Sequence, residues 1–317
     1  MFLNEFALDL EPKDMTASAE FESLLRSAAD LGIPHDAGVR YVSRQTVVRG
    51  MRLHFTEWGD PSAPPVLLLH GGNQSSHSWD LVSLHLADRY HVYAPDQRGH
   101  GDSEWSREID YSMEAMAADA LAFLEQQHVE DPIVFGHSMG GYVTMYVARQ
   151  SPGFARAIVL VDVGPELSDV GRQVVRDFVV HNVEFEKLDD FLDAVAGYDR
   201  FRSREHIART AKYNLVVRAD GRYVSKADHR RFGMDDPNTT GPSTSLGLQD
   251  VTAFACPVLV IRGGESAVLT QDAAERFVQA LPNGQLVTVP NVGHNVHGGN
   301  TAGFLEVLQP FLRTVAR

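Results

Sequence analysis

The chain has 317 residues, 44% of them hydrophobic, with a formal net charge of −14. That length holds a large core, as one α/β unit or a core with an insertion, and the composition is that of a globular rather than a disordered chain. The acidic balance argues against nucleic acid or an anionic membrane as partner, and a single cysteine, Cys256, rules out an internal disulfide and fits a reducing compartment.

In chain order, Met1-Phe2-Leu3-Asn4-Glu5 shows no basic region followed by an apolar run, so no secretory leader is expected. No apolar stretch approaches the roughly 20 residues needed to span a bilayer, and a cytoplasmic protein is expected. Residues 1–37 read as an N-terminal helical extension. Phe21, Leu24, Leu25 and Ala28 recur close to helical spacing within Thr16–Ala29, and Gly32 with Pro34 stops the pattern. Such a helix has three uses open to it: packing on the main body, covering a site, or joining two subunits into a homodimer.

Strands follow. Tyr41–Val48 and Met51–Trp58 flank a hairpin turn at Arg49-Gly50, and Val66–Leu69 is a continuous apolar run of the kind buried on both faces of a sheet. Helix His77–Leu86, strand His91–Ala94, helix Ser112–Gln127, strand Ile133–Phe135, helix Tyr142–Arg149 and strand Ala157–Val161 continue the alternation. Strands alternating with helices imply parallel βαβ units, an α/β fold whose ligands bind beyond the carboxyl ends of the strands. The rhythm breaks over residues 164–248, a more polar stretch with helical patterns at Val174–Val183, Leu188–Val195 and Arg204–Leu215 and a loop-like run from Asp236 to Pro242. This reads as a cap inserted over the crevice, leaving 38–163 and 249–317 as the core. In the second part, strands Val258–Ile261 and Leu286–Val289 alternate with helices Gln271–Ala280 and Phe304–Val315.

Chemistry concentrates at Gly136-His137-Ser138-Met139-Gly140, set between a strand and a helix. The pattern Gly-x-Ser-x-Gly in that setting is a nucleophile elbow: the turn is so tight that side chains at the flanking positions would clash, and the serine hydroxyl is thrust out. A serine hydroxyl needs a base. His294, just past the last strand and preceded by Gly293, is the candidate, with His297 as its rival. An oxyanion needs donors aimed at it in advance. The N–H of Met139 at a helix start and that of Gly72, in the loop His70-Gly71-Gly72 after the Val66–Leu69 strand, are the candidates.

Taken together, His70-Gly71-Gly72, the loop from Asp96 to Ser103, the elbow and Gly293-His294 resemble the α/β-hydrolase superfamily over roughly residues 40–317. The resemblance implies the α/β-hydrolase fold, a mostly parallel sheet with helices on both faces and an inserted helical cap. It also makes Arg98–Ser103 a structural loop and sets Asp96 aside as an acid. In one respect the chain departs from the family, whose triad acid usually stands in the loop after the strand at Val258–Ile261. Here that loop carries Ala267 where an aspartate is expected. Some relatives place the acid about 24 residues past the nucleophile, and Asp162 lies 24 residues past Ser138. Three readings follow: Asp162 orients the histidine, Glu265 does so with its longer side chain, or position 267 carries a crippling replacement.

The expected activity is a serine hydrolase acting on a carboxylic ester or lactone of a small, fairly apolar molecule. The alternatives are a carbon–carbon bond hydrolase for dienone-type ring-cleavage products, and a catalytically weak ligand-binding protein. No cofactor or metal is expected. His294 and His297 are too few ligands for zinc, and no Gly-x-x-x-x-Gly-Lys phosphate loop occurs. Of the aromatics in the inserted segment, Tyr198, Phe201, Tyr213, Tyr223 and Phe232 either line an apolar pocket or form the cap's own core.

Overall fold

A computed structural model describes residues 12–232 and 246–316, with the side chains of Arg231 and Phe232 left aside. The start of the N-terminal extension, the Phe232 ring and the Asp236–Pro242 loop therefore lie outside the described residues. In chain order the elements are β1 (Lys13–Asp14), α1 (Ala19–Asp30), β2 (Tyr41–Val48), β3 (Met51–Trp58), β4 (Pro65–Leu69), α2 (Asp80–Leu86), β5 (His91–Pro95), α3 (Met113–Gln126), β6 (Ile133–His137), α4 (Met139–Gln150) and β7 (Ala157–Val161). Then come α5 (Asp169–His181), β8 (Glu184–Phe185), α6 (Leu188–Tyr198), α7 (Arg204–Asn214), β9 (Leu215–Val217), β10 (Tyr223–Ser225), β11 (Val258–Gly263), α8 (Gln271–Ala280), β12 (Gly284–Val289), α9 (Val296–Gly299) and α10 (Thr301–Val315).

Nine strands form one sheet in the order β1-β2-β3-β5-β4-β6-β7-β11-β12. The first three pairings are antiparallel and the rest parallel. The continuous apolar runs are explained by burial on both faces. Along β4, Val66 and Leu68 pack into one core layer with α1, α2 and α10, while Leu67 and Leu69 pack into the other with α3, α4 and α8. The hairpin turn between β2 and β3 has positive φ at both Arg49 (50°) and Gly50 (78°), the backbone that matches strand twist.

Helix α1 starts at Ser18, whose hydroxyl accepts from the Phe21 N–H at 3.1 Å, and it buries Phe21, Leu24 and Ala28. The Phe21 ring lies 5.8 Å from Tyr41, which stacks on Trp58 at 3.6 Å. Of the three uses open to this helix, the structure shows packing on the main body. The 77–86 helix starts later than its pattern suggests: Ser76–Trp79 is a 3₁₀ turn that leads into α2.

Between β7 and β11 the chain builds α5, α6, α7 and a small antiparallel sheet, β8-β10-β9. Strands of two and three residues carry no readable alternation, so the sheet is invisible to periodicity. Helix α5 begins at Asp169 rather than Val174 because Ser168 caps it, accepting from the Gly171 N–H at 3.2 Å. Helix α7 is fixed to the core through a buried cluster. Arg209 NH1 donates to Asp80 Oδ2 at 2.9 Å, His77 Nδ1 lies 3.1 Å from Asp80 Oδ1, and Tyr213 stacks on His77 at 3.3 Å. Removing one partner of such a pair costs about 3–5 kcal/mol, because it leaves a buried charge alone.

His206 on α7 is half-buried, and burial first, then the Arg202 and Arg209 charges, push its pKa down to about 3. The unfolded chain takes up a proton near pH 6.5 that the folded chain refuses until about 3. Its share of stability is thus complete above 6.5 and drains as pH falls toward 3. A His206→Gln variant is expected to show a flatter thermal midpoint between pH 6.5 and 4.5, the removed slope being at most about 1.4 kcal/mol per pH unit. Parallel wild-type and variant profiles in that window would contradict this.

Among the described residues no helix is long and apolar enough to cross a membrane.

Candidate active site

Strand β6 ends at His137 and α4 begins at Met139, so the whole change of direction falls on Ser138, at φ 48° and ψ −113°. Glycine is needed beside it. A Cβ on Gly140 would sit 2.3 Å from the Leu69 carbonyl oxygen, and one on Gly136 2.6 Å from that of Gly140. The close approach lets the Gly140 N–H donate to the His70 carbonyl at 3.1 Å, which ties the elbow to the loop after β4. Four of the eight described non-glycine residues with positive φ, namely Asn73, Ser138, Asp162 and Asn291, stand just past β4, β6, β7 and β12. Strain of this kind persists where the surrounding structure enforces it, commonly at sites of function.

Asp162 follows β7 and is fully buried. Its Oδ1 accepts from the Gly263 N–H at 3.0 Å, and its Oδ2 accepts from the Ser266 hydroxyl at 2.5 Å. His294 Nδ1 lies 2.8 Å from the same Oδ2. Because a carboxylate only accepts, this contact places the ring proton on Nδ1 and leaves Nε2 as a base. The loop carrying His294 is held by Glu265 N–H donating to the Val292 carbonyl at 2.9 Å. Glu265 itself points elsewhere: its exposed carboxylate pairs with Arg200 and does not meet His294. Ala267 is exposed. The rival histidine, His297, is buried with its ring stacked on Trp79 at 3.8 Å.

His137 is buried beneath the elbow. Its Nδ1 is 3.1 Å from Gln74 Oε1, which also accepts from the Gly71 N–H at 2.9 Å, and its Nε2 is 3.0 Å from the His294 carbonyl. Burial, with the nearby His297 and His294, pushes its pKa well down, and a neutral ring donates to only one of these two acceptors. It spans the glycine loop and the His294 backbone.

Asp96 belongs to the scaffold. Its carboxylate accepts from the N–H groups of Ser76 (2.6 Å) and Asp102 (2.8 Å), and lies 2.8 Å from His54 Nδ1. Burial alone would raise its pKa, but the His54 ring beside it holds the carboxyl well below the usual range. His54, Asp96 and Asp102 bring one ligand atom each within 4.8 Å of one another, yet Asp102 also pairs with Lys226.

Ser138, His294, Gly72 and Met139 line one cavity of about 720 Å³. Its other wall comes from the inserted segment, where Phe178 stacks on Tyr198 at 4.1 Å and Phe191 and Val195 complete the apolar surface. Of Tyr198, Phe201, Tyr213 and Tyr223, only Tyr198 lines the cavity, while Tyr213 faces His77. Phe178 was missed, although Val175, Phe178, Val179 and Asn182 share one face of a helix and all four line the cavity.

A family model described as the alpha/beta hydrolase fold matches residues 64–301. Over 314 residues the chain is 28% identical to an esterase of Mycobacterium tuberculosis, Rv0045c, covering 96% of this chain and 99% of that one. A 3-hydroxybutyrate-oligomer hydrolase of Cupriavidus necator is 28% identical over 257 residues, which cover 77% of this chain and 87% of its own. Among solved structures, an alpha/beta hydrolase from Novosphingobium aromaticivorans superposes with a TM-score of 0.73 at 29% identity, over 85% of this chain and 98% of that one.

Proposed function

The chain belongs to the α/β-hydrolase fold family, and from that premise we propose that it is a serine hydrolase cleaving a carboxylic ester or lactone of a small molecule through an acyl-enzyme. The supporting observation is the placement of Ser138 on the strained elbow and of His294, backed by Asp162, along the same cavity. In this reading His294 Nε2 takes the Ser138 proton as the hydroxyl oxygen bonds to the carbonyl carbon. The Gly72 and Met139 N–H groups hold the oxyanion, Met139 with the help of the α4 N-terminus. His294 then protonates the leaving alcohol, and water, deprotonated by the same ring, releases the acid. Asp162 keeps the ring in the productive tautomer and stabilises its charged form. The contact between Asp162 and His294 argues against a protein lacking its acid, despite Ala267. Relatives named as an esterase and an oligomer hydrolase support ester cleavage over other chemistries of the fold. The segment 164–248 acts as the cap and sets substrate size.

A panel of p-nitrophenyl esters, lactones and vinylogous diketones tests the reading. Ester or lactone turnover that exceeds diketone cleavage is expected. Diketone cleavage with every ester and lactone inert would replace it with carbon–carbon bond hydrolysis.

A further inference from the structure

Arg202 lines the cavity that holds Ser138 and His294, and it is wired unlike the arginines near it. Arg200 pairs with Glu265, Arg204 with Asp189 and Asp193, and Arg209 with Asp80. Arg202 forms no ion pair among the described residues. Among the described residues its one side-chain hydrogen bond runs from Nη2 to Thr210 Oγ1 at 3.2 Å, and its Nε, sealed from solvent, has no partner. A guanidinium carries five N–H donors in a planar fork matched to a carboxylate. Burying that charge is expensive, and the carboxylate whose charge offsets it, Asp199, makes no direct ion pair with it.

We propose that the substrate carries a second, free carboxylate and that Arg202 binds it, so that the ester taken by this site is a half-ester of a dicarboxylic acid. The proposal rests on the ester-hydrolase reading and narrows its substrate class. The groups around Arg202 fit a monoanion. Asp199, also on the cavity wall, accepts from Asn295 Nδ2 at 3.0 Å and makes no ion pair with Arg202. Burial raises its pKa, and the nearby Arg202 charge opposes that rise. His206 is neutral near pH 7, and Arg209 is committed to Asp80. One guanidinium with Asp199 nearby suits a monoanion better than a phosphate dianion, because repulsion from Asp199 grows with the second charge. Asp169, Arg172 and Arg176 also border the cavity, and Arg172 is paired with Asp169.

The test compares p-nitrophenyl half-esters of C4 to C8 dicarboxylic acids with neutral p-nitrophenyl esters of matched length. Calorimetry of the free dicarboxylates with the Ser138→Ala protein supplies a readout independent of turnover. The wild-type protein is expected to prefer the half-ester at one chain length by at least tenfold in kcat/KM. Arg202→Gln is expected to lower half-ester kcat/KM about 10- to 100-fold more than neutral-ester kcat/KM, chiefly through KM, with Arg202→Lys retaining part of the preference. Neutral esters hydrolysed as well as half-esters at every length, or an Arg202→Gln effect equal on both, would overturn the carboxylate site and leave the ester reading standing. Inert esters together with Arg202-dependent dicarboxylate binding would overturn the ester reading and keep the site. Should Arg202→Gln fail to fold, the wild-type preference and the Arg202→Lys variant decide.

Discussion

Replacing Ser138 with alanine is expected to lower kcat for ester hydrolysis by on the order of 10⁵- to 10⁶-fold while leaving the fold intact. The magnitude follows from the unit character of a serine–histidine pair: without the hydroxyl no acyl-enzyme forms, and only the oxyanion donors and substrate binding assist a water molecule. The fold should be indifferent, because Ser138 is half-buried and its hydroxyl holds no part of the core together. Its φ of 48° is as awkward for alanine as for serine, so the strain of the elbow is unchanged. Steady-state kinetics with a p-nitrophenyl ester, alongside a thermal midpoint, checks both parts. A loss of only tenfold would mean that another group attacks the carbonyl.

Asp162→Asn is expected to reduce kcat by about 10⁴-fold, mostly through the wrong tautomer of His294. The amide keeps the shape of the carboxylate and still accepts from the Gly263 N–H, but its NH₂ then faces the Ser266 hydroxyl and His294 Nδ1. The hydroxyl turns to accept. The ring answers by moving its proton to Nε2, where it can no longer receive that of Ser138. Two companion variants separate this from the alternatives raised by Ala267. Glu265→Gln should change kcat less than about threefold, since Glu265 serves Arg200 at the surface. Ala267→Asp should change it little, since Nδ1 already has its carboxylate. A rise of several orders of magnitude in Ala267→Asp would move the acid to position 267 and overturn the role of Asp162.

The parts of this molecule legible from sequence are those where local geometry leaves few choices. Val66–Leu69 reads as a buried strand because both of its faces meet helices, and such a run has nowhere else to go. The elbow reads clearly because a Cβ at Gly136 or Gly140 would collide with backbone oxygen, so the residue types record the shape of the turn. Asp162 is a candidate because the resemblance admits an acid about 24 residues past the nucleophile, and Glu265 competes with it until its ion pair with Arg200 is seen. His294 and His297 differ only in what tertiary packing does to them: one meets a carboxylate, the other a tryptophan face. The inserted segment is the least legible part of the sequence. Strands of two and three residues have no period to detect, and Tyr213, a plausible pocket aromatic, is drawn instead onto His77. Phe178 shares an apolar helix face that periodicity can show, whereas Arg202 stands at the cavity wall because of how the chain after α6 is placed, which no local pattern encodes.

The central claim is that Ser138 is acylated and that His294, held by Asp162, drives the step. Rapid mixing with a slowly deacylated p-nitrophenyl ester, followed by quenching and peptide mass analysis, addresses it directly. A burst of about one p-nitrophenolate per protein with the acyl mass on the peptide containing Ser138 is the expected result. Turnover without a burst, or an acyl group recovered on any other residue, would contradict it.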